Sequence, residues 1–189
     1  MCGACGTIAH QAYAASRIGP VSSNVRPHRH DPQHAPSMNT IAVRQAVLAD
    51  LEVIADLFNQ YRQFQGKASD LSACHAFLHD RFNHAESTVF IATVDERPVG
   101  FAQLYPSFSS TALARVFILN DLFVSESGRR RGAGSALLKA VEDYAWSLGA
   151  CRVSLNVAQS NVQGQELYDA AQWVRDRDFF MYHRYPPSP

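Results

Sequence analysis

The segment that most restricts what this chain can fold into runs from Val116 to Leu148. It begins with an apolar run, Val116-Phe117-Ile118-Leu119 and Leu122-Phe123-Val124, interrupted by Asn120-Asp121. Such a run reads as a buried strand, here from about Leu113 to Val124. A polar turn follows, Ser125-Glu126-Ser127-Gly128-Arg129-Arg130-Arg131-Gly132-Ala133-Gly134-Ser135. A helix over Gly132 to Leu148 comes next, with Ala136, Leu137, Ala140, Val141, Tyr144 and Leu148 on one face and Gly149 as its stop. Two glycines one residue apart at a helix start let a ligand come close to the backbone. The unpaired N–H groups and the positive end of the helix dipole suit a phosphate there. The backbone of Arg129 to Ser135 can therefore cradle a diphosphate, with the arginine side chains assisting.

Other phosphate-binding patterns are absent. A Walker loop needs Gly-x-x-x-x-Gly-Lys followed by Ser or Thr, and no such string occurs. A dinucleotide fingerprint needs a third glycine three residues after Gly134, where the chain has Leu137. The bland alternative is a plain helix start with a solvated basic turn.

The flanking pattern predicts a mixed sheet. Ile41 to Arg44 reads as a short strand, and Asp50 to Phe64 as a helix with Leu51, Ile54, Ala55, Leu57, Phe58 and Tyr61 at helical spacing. Gly66 breaks it, and Ser69 or Asp70 caps a second helix carrying Leu71, Phe77, Leu78 and Phe82. Thr88 to Val94 and Val99 to Leu104 form a strand pair around the turn Asp95-Glu96-Arg97-Pro98. Beyond the central helix, Arg152 to Val157 reads as a strand, Asn161 to Ala171 as a helix, and Phe179 to Tyr185 as a last strand. The order β-α-α-β-β-β-α-β-α-β implies helices on a mixed sheet, with no internal repeat.

Residues 1–37 differ from the rest. Pro20, Pro27, Pro32 and Pro36 alternate with His28, His30 and His34 without periodicity, so this stretch reads as a disordered N-terminal extension, leaving 38–189 as the domain. It is a tail, a targeting segment, or an upstream extension before Met38. The Cys2/Cys5 pair stands alone, without the second pair a zinc site would need, and no metal is expected. Lys plus Arg equals Asp plus Glu at 17 each, which gives no push toward nucleic acid or membrane. No apolar run is long enough for a membrane span, and the expected location is cytoplasmic.

Two segments carry a resemblance. Arg129-Arg130-Arg131-Gly132-Ala133-Gly134 resembles the Gln/Arg-x-x-Gly-x-Gly/Ala signature of the GNAT N-acetyltransferases. Asn161-Val162-Gln163-Gly164-Gln165-Glu166-Leu167-Tyr168-Asp169-Ala170-Ala171-Gln172-Trp173 is similar to that family's Asn-x-x-Ala-x-x-Leu-Tyr-x-x-x-Gly-Phe segment, with Gly164, Gln172 and Trp173 as departures. More finely, Leu119-Asn120-Asp121-Leu122-Phe123-Val124 and Gly100 to Pro106 resemble strands of polyamine and yeast histone/polyamine acetyltransferases, with Asn120 where the polyamine enzymes have Glu. The resemblance implies an α/β GNAT fold: a mostly antiparallel sheet of six or seven strands, splayed at the acetyl-CoA site and flanked by about four helices. It further implies acetyl-CoA as co-substrate, direct attack by an amine, and frequent pairing as a homodimer.

By the same resemblance, Leu122, Phe123 and Val124 present backbone to the coenzyme, and the Val124 N–H serves the developing oxyanion. Gly132, Ala133, Gly134 and Ser135, with Arg129, Arg130 and Arg131, take the diphosphate. Asn161 contacts the pantetheine region, or caps a helix, or does both. Tyr168 matches the general acid for the departing thiolate, its alternative being a core tyrosine. A protonated amine must also lose a proton. Asp121 is the first candidate for that task, because an acid within an apolar strand is costly without a partner or a role. A purely structural acceptor is its alternative. Strand alternation puts Asn120 and Asp121 on opposite faces. Glu126, Tyr105 and His79 are secondary candidates, while Cys74 and Cys151 read as core residues. The expected acceptor is a small primary amine such as a polyamine, diamine or amino acid. Rivals are a protein lysine or N-terminal amine, a non-catalytic coenzyme A-binding module, and a nucleic-acid binder using Arg129–Arg131, for which one basic turn is thin support.

Overall fold

The structure, a computed structural model, describes residues 40–187. The expectations for the extension, including its disorder, the Cys2/Cys5 pair and the three histidines, lie outside the described residues. Five strands form one sheet in the order β1 (Ile41–Gln45), β2 (Thr88–Val94), β3 (Arg97–Ser109), β4 (Ala114–Val124) and β5 (Arg152–Ser154). The first four are antiparallel neighbours, and β5 runs parallel to β4. A parallel neighbour needs a crossover, which α3 (Ala133–Ser147) supplies.

Helices α1 (Leu51–Phe64) and α2 (Leu71–Asn83) cover one face of the sheet. Ile54, Leu57, Phe58 and Leu78 pack there on Val89, Ile91, Phe101 and Phe123. The other face carries α3, whose Leu137, Leu138, Val141 and Ala145 meet Phe90, Ala92, Leu104, Phe117 and Leu119. Leu167 and Tyr168 of α4 (Val162–Ala170) pack against this second core. Each fully buried Leu or Phe contributes about 1.5–3 kcal/mol, so the sheet is a firm platform on both sides. Asp70 caps α2, its Oδ1 accepting from the Ala73 N–H at 3.0 Å, and Gly66 adopts φ +77° at the preceding turn.

Two strand expectations are corrected. β5 ends at Ser154 rather than Val157, and Phe179 to Tyr185 forms no strand among the described residues. The sheet therefore has five strands, not six or seven. The Asp176 carboxylate accepts from the N–H groups of Asp178 and Phe179, which diverts the donors that would open a ladder. Phe179, Phe180, Tyr182 and Tyr185 consequently remain exposed, without a sheet face to cover them. Cys151 is exposed rather than buried, whereas Cys74 sits in the α2 core as expected.

Candidate active site

The site begins with an irregularity in β4. Gln103 faces Asp121 across the β3–β4 ladder, yet Leu104 faces Leu119, so Asn120 is an extra residue without an opposite number. Leu119 and Leu122 both pack toward α3 although they are three positions apart, which only a β-bulge permits. Alternation alone had separated Asn120 from Asp121. The bulge instead lets the exposed Asn120 amide donate to Asp121 Oδ2 at 3.1 Å.

Beyond the bulge, β4 loses its outer neighbour. β5 pairs with β4 only from Val116 to Ile118, and the last six residues of β4 continue without it. Ser125 N–H donates to Val99 O at 2.8 Å, so by the alternation of an antiparallel ladder the polar groups of Val124 point away from β3. Val124 O is held by Arg129 Nε at 3.1 Å, and its N–H faces the opening between the strands. A cavity of about 430 Å³ fills this fork. Its walls are Leu119, Asn120 and Leu122 from β4, residues around Asn156–Gln163, Tyr61 and Phe64 from α1, and Tyr168 from α4.

The loop expected to take phosphate closes one end of the fork. Gly132 is the N-cap of α3 with φ +89°, a left-handed conformation that costs any other residue, and Arg130 is left-handed too at φ 56°. Alternating left-handed residues turn successive N–H groups to one side and form an anion-binding hollow. A Cβ on Gly134 would lie 3.2 Å from Leu167 Cδ2 and 4.0 Å from Val124 Cγ2, so α3 begins hard against α4 and the end of β4. The loop, the open strand edge and Tyr168 thus meet in one place, and the residues present suit a diphosphate carrying an extended arm. The three arginines do not share one role. Arg129 holds Val124 O and lies 5.5 Å over the Phe64 ring, Arg131 pairs with Asp95 at 2.5 Å, and Arg130 is exposed.

Asn161 is indeed a helix cap, its Oδ1 accepting from Gly164 N–H at 3.0 Å, and it also lines the fork. Tyr168 packs on the Trp173 ring at 5.8 Å, and Trp173 Nε1 donates to Glu142 at 2.7 Å. Burial first, then the nearby Tyr61, pushes the Tyr168 hydroxyl above its ordinary range, so it stays protonated at neutral pH. Asp121 is 6% exposed, and burial raises its carboxyl above the usual range, opposed by the Asn120 amide and the Tyr61 hydroxyl. Tyr105, also close to Asp121, is pushed up to about 12, mainly by burial. Of the other candidates, Phe123 packs in the α1–α2 core, Glu126 is exposed on a short turn, and His79 is half-buried on α2 beside Asn83.

Sequence reasoning missed Tyr61 and Gln103. Tyr61 fits the apolar stripe of α1, so nothing in its spacing set it apart from core. Gln103 is fully buried opposite Asp121; its Nε2 donates to Ser87 Oγ at 2.8 Å, while its Oε1 has no partner. A lone amide in an apolar strand was the available signal.

The profile of the Acetyltransferase (GNAT) family matches residues 51–172. The chain belongs to the GNAT acetyltransferases. It is 44% identical over 140 residues, 74% of this chain and 94% of the other, to the uncharacterized N-acetyltransferase YhfO of Bacillus subtilis (strain 168). A shorter match, 36% over 70 residues, links 37% of this chain to 31% of the L-ornithine N5-acetyltransferase NATA1 of Arabidopsis thaliana. Among solved structures, a probable acetyltransferase superposes with a TM-score of 0.74 at 35% identity, covering 78% of this chain and 99% of that one. This acetyltransferase is accordingly an acyltransferase of the GNAT type, a family that takes acetyl-CoA as donor. Among its described residues no helix is long and apolar enough to cross a membrane, and no group of three or more His, Cys, Asp or Glu is placed to hold a metal.

Proposed function

We propose that this acetyltransferase moves acetyl from acetyl-CoA directly to the primary amine of a small molecule, a polyamine, diamine or amino acid. The observation that carries the reading is the buried Asp121, reached by two residues of the fork, Asn120 and Tyr61, and standing one bulge away from the open edge of β4. Backbone N–H groups from Arg129 to Ser135 receive the diphosphate, the Leu122–Val124 edge takes the pantetheine arm, and Asn161 borders it. Asp121, which stands behind the cavity wall rather than in it, takes the ammonium proton relayed across that wall, and the nitrogen lone pair then attacks the thioester carbonyl. The Val124 N–H faces the oxygen that gains charge. As the C–S bond breaks, Tyr168 gives its proton to the sulfur and recovers one from the nitrogen, so one proton leaves to solvent for each acetyl moved.

Gln103 supports the role of Asp121. An ionised Asp121 is only an acceptor, but once protonated it has an O–H to donate, and an unpartnered buried acceptor lies across the ladder. The likeness to an L-ornithine N5-acetyltransferase supports a small amine. Free-thiol release from acetyl-CoA, followed with polyamines, diamines, amino acids and a lysine peptide, tests the acceptor class. Turnover with one class of small amine is expected. Turnover confined to the lysine peptide would overturn the small-molecule reading.

A further inference from the structure

The expected role of Arg131 is to touch phosphate, yet its guanidinium is paired with a carboxylate on the β2–β3 turn. Nη2 lies 2.5 Å from Asp95 Oδ2, and the pair is only part-exposed, 30% for Arg131 and 39% for Asp95. Asp95 sits on the two-residue turn between β2 and β3, distant in sequence from the loop. Both turn residues are left-handed, Asp95 at φ 49° and Glu96 at φ 65°, without a glycine to make that easy. Three bonds hold Asp95 in this conformation: its N–H donates to Thr40 O at 3.0 Å, its Oδ1 accepts from Thr40 N–H at 3.2 Å, and its Oδ2 accepts from Arg131. Arg131 and the Thr40 N–H hold the carboxyl below its ordinary range, so the pair is ionised at neutral pH. Gly132, the next residue, rests against the same corner, where a Cβ would meet Ile41 Cδ1 at 3.2 Å.

We infer that Asp95 is a positioning residue for the coenzyme loop, and that Arg131 is a strut to the β2–β3 turn rather than a phosphate ligand. A part-exposed surface ion pair adds little to global stability. Its effect falls instead on the one conformation that turns the N–H groups of Arg131 to Ser135 toward a diphosphate. The inference rests on assigning that loop to coenzyme A.

The test is a double-substitution cycle on the full chain, Asp95→Asn, Arg131→Gln and both together, reading the dissociation constant of coenzyme A by calorimetry and the melting temperature of each protein. Each single change is expected to weaken coenzyme A by about two- to fivefold, the upper part of the range of a surface charge pair, and the double change by no more than either single. Melting temperatures should stay within about 2 °C of the parent, as expected for a surface pair. Further weakening by Arg131→Gln in the Asp95→Asn background would show that Arg131 touches the phosphates itself and overturn the inference. So would an Asp95→Asn protein that binds as the parent does, or one whose loss of affinity only follows a large fall in melting temperature. A parent protein that does not bind coenzyme A would instead sink the assignment of the loop.

Discussion

Replacing Gly132 with alanine puts a Cβ on a residue whose φ of +89° belongs to the left-handed region. For an L-residue that conformation costs about 1–2 kcal/mol. The new Cβ would also sit 3.2 Å from Ile41 Cδ1, the movable tip of a side chain, which adds only a few tenths of a kcal/mol if Ile41 turns aside. If the loop keeps its shape, the protein bears the strain and melts about 2–8 °C lower, at the 2–4 °C per kcal/mol of a domain this size. If the loop relaxes, stability recovers and coenzyme A affinity falls by about five- to thirtyfold, the same energy appearing in binding. Melting curves with and without coenzyme A separate the two responses. Gly134→Ala is the control, because its backbone is ordinary helix and its nearest neighbour is the flexible tip of Leu167. Alanine gains up to about 1 kcal/mol there from helix propensity, so apo stability should not fall. A Gly132→Ala protein with parental melting temperature and parental affinity would refute the claim that this glycine's conformation shapes the loop.

Tyr168→Phe should lower kcat by about 10²–10³ with coenzyme A binding retained, as expected for a lost general acid; parental turnover would remove that role. Asp121→Asn should lower kcat/KM for the amine by about 10²–10⁴ and leave the melting temperature equal or higher at neutral pH. The sign follows from linkage: a carboxyl raised in the folded state destabilises the fold above its folded pKa, and the amide removes that cost. A large fall in melting temperature with activity kept would make Asp121 structural. The Tyr61 hydroxyl favours ionised Asp121, so Tyr61→Phe should move the acidic limb of the kcat/KM profile to higher pH; an unmoved or lowered limb would separate the two residues.

Much of the fold was legible because its elements are locally consistent. The apolar stripes of α1 and α3, the Asp70 cap and the β2–β3 pair each carry a period or punctuation that survives folding. The last strand was not legible, since Phe179 to Tyr185 has strand-forming residues but its first N–H, and that of Asp178 before it, go to Asp176. At the candidate site, the loop glycines and the Asn161 cap leave a local pattern, whereas Tyr168 was singled out by the resemblance; the structure sets Asn161 and Tyr168 in the wall of one cavity. The meeting of Asn120 with Asp121 could not, because a bulge shifts the period by one residue and only the partner strand reveals it. The division of labour among Arg129, Arg130 and Arg131 was hidden for a similar reason: their partners, Val124, Phe64 and Asp95, lie on other elements.

Amide hydrogen exchange on the full chain, with and without coenzyme A, tests the placement of the site most directly. The account predicts slowed exchange in peptides covering Leu122–Leu138 and Asn156–Tyr168, where the open strand edge, the loop and the cap of α4 meet. Unchanged exchange in both peptides, with protection on another surface such as the α1 face around Glu52 and Asp56, would contradict it.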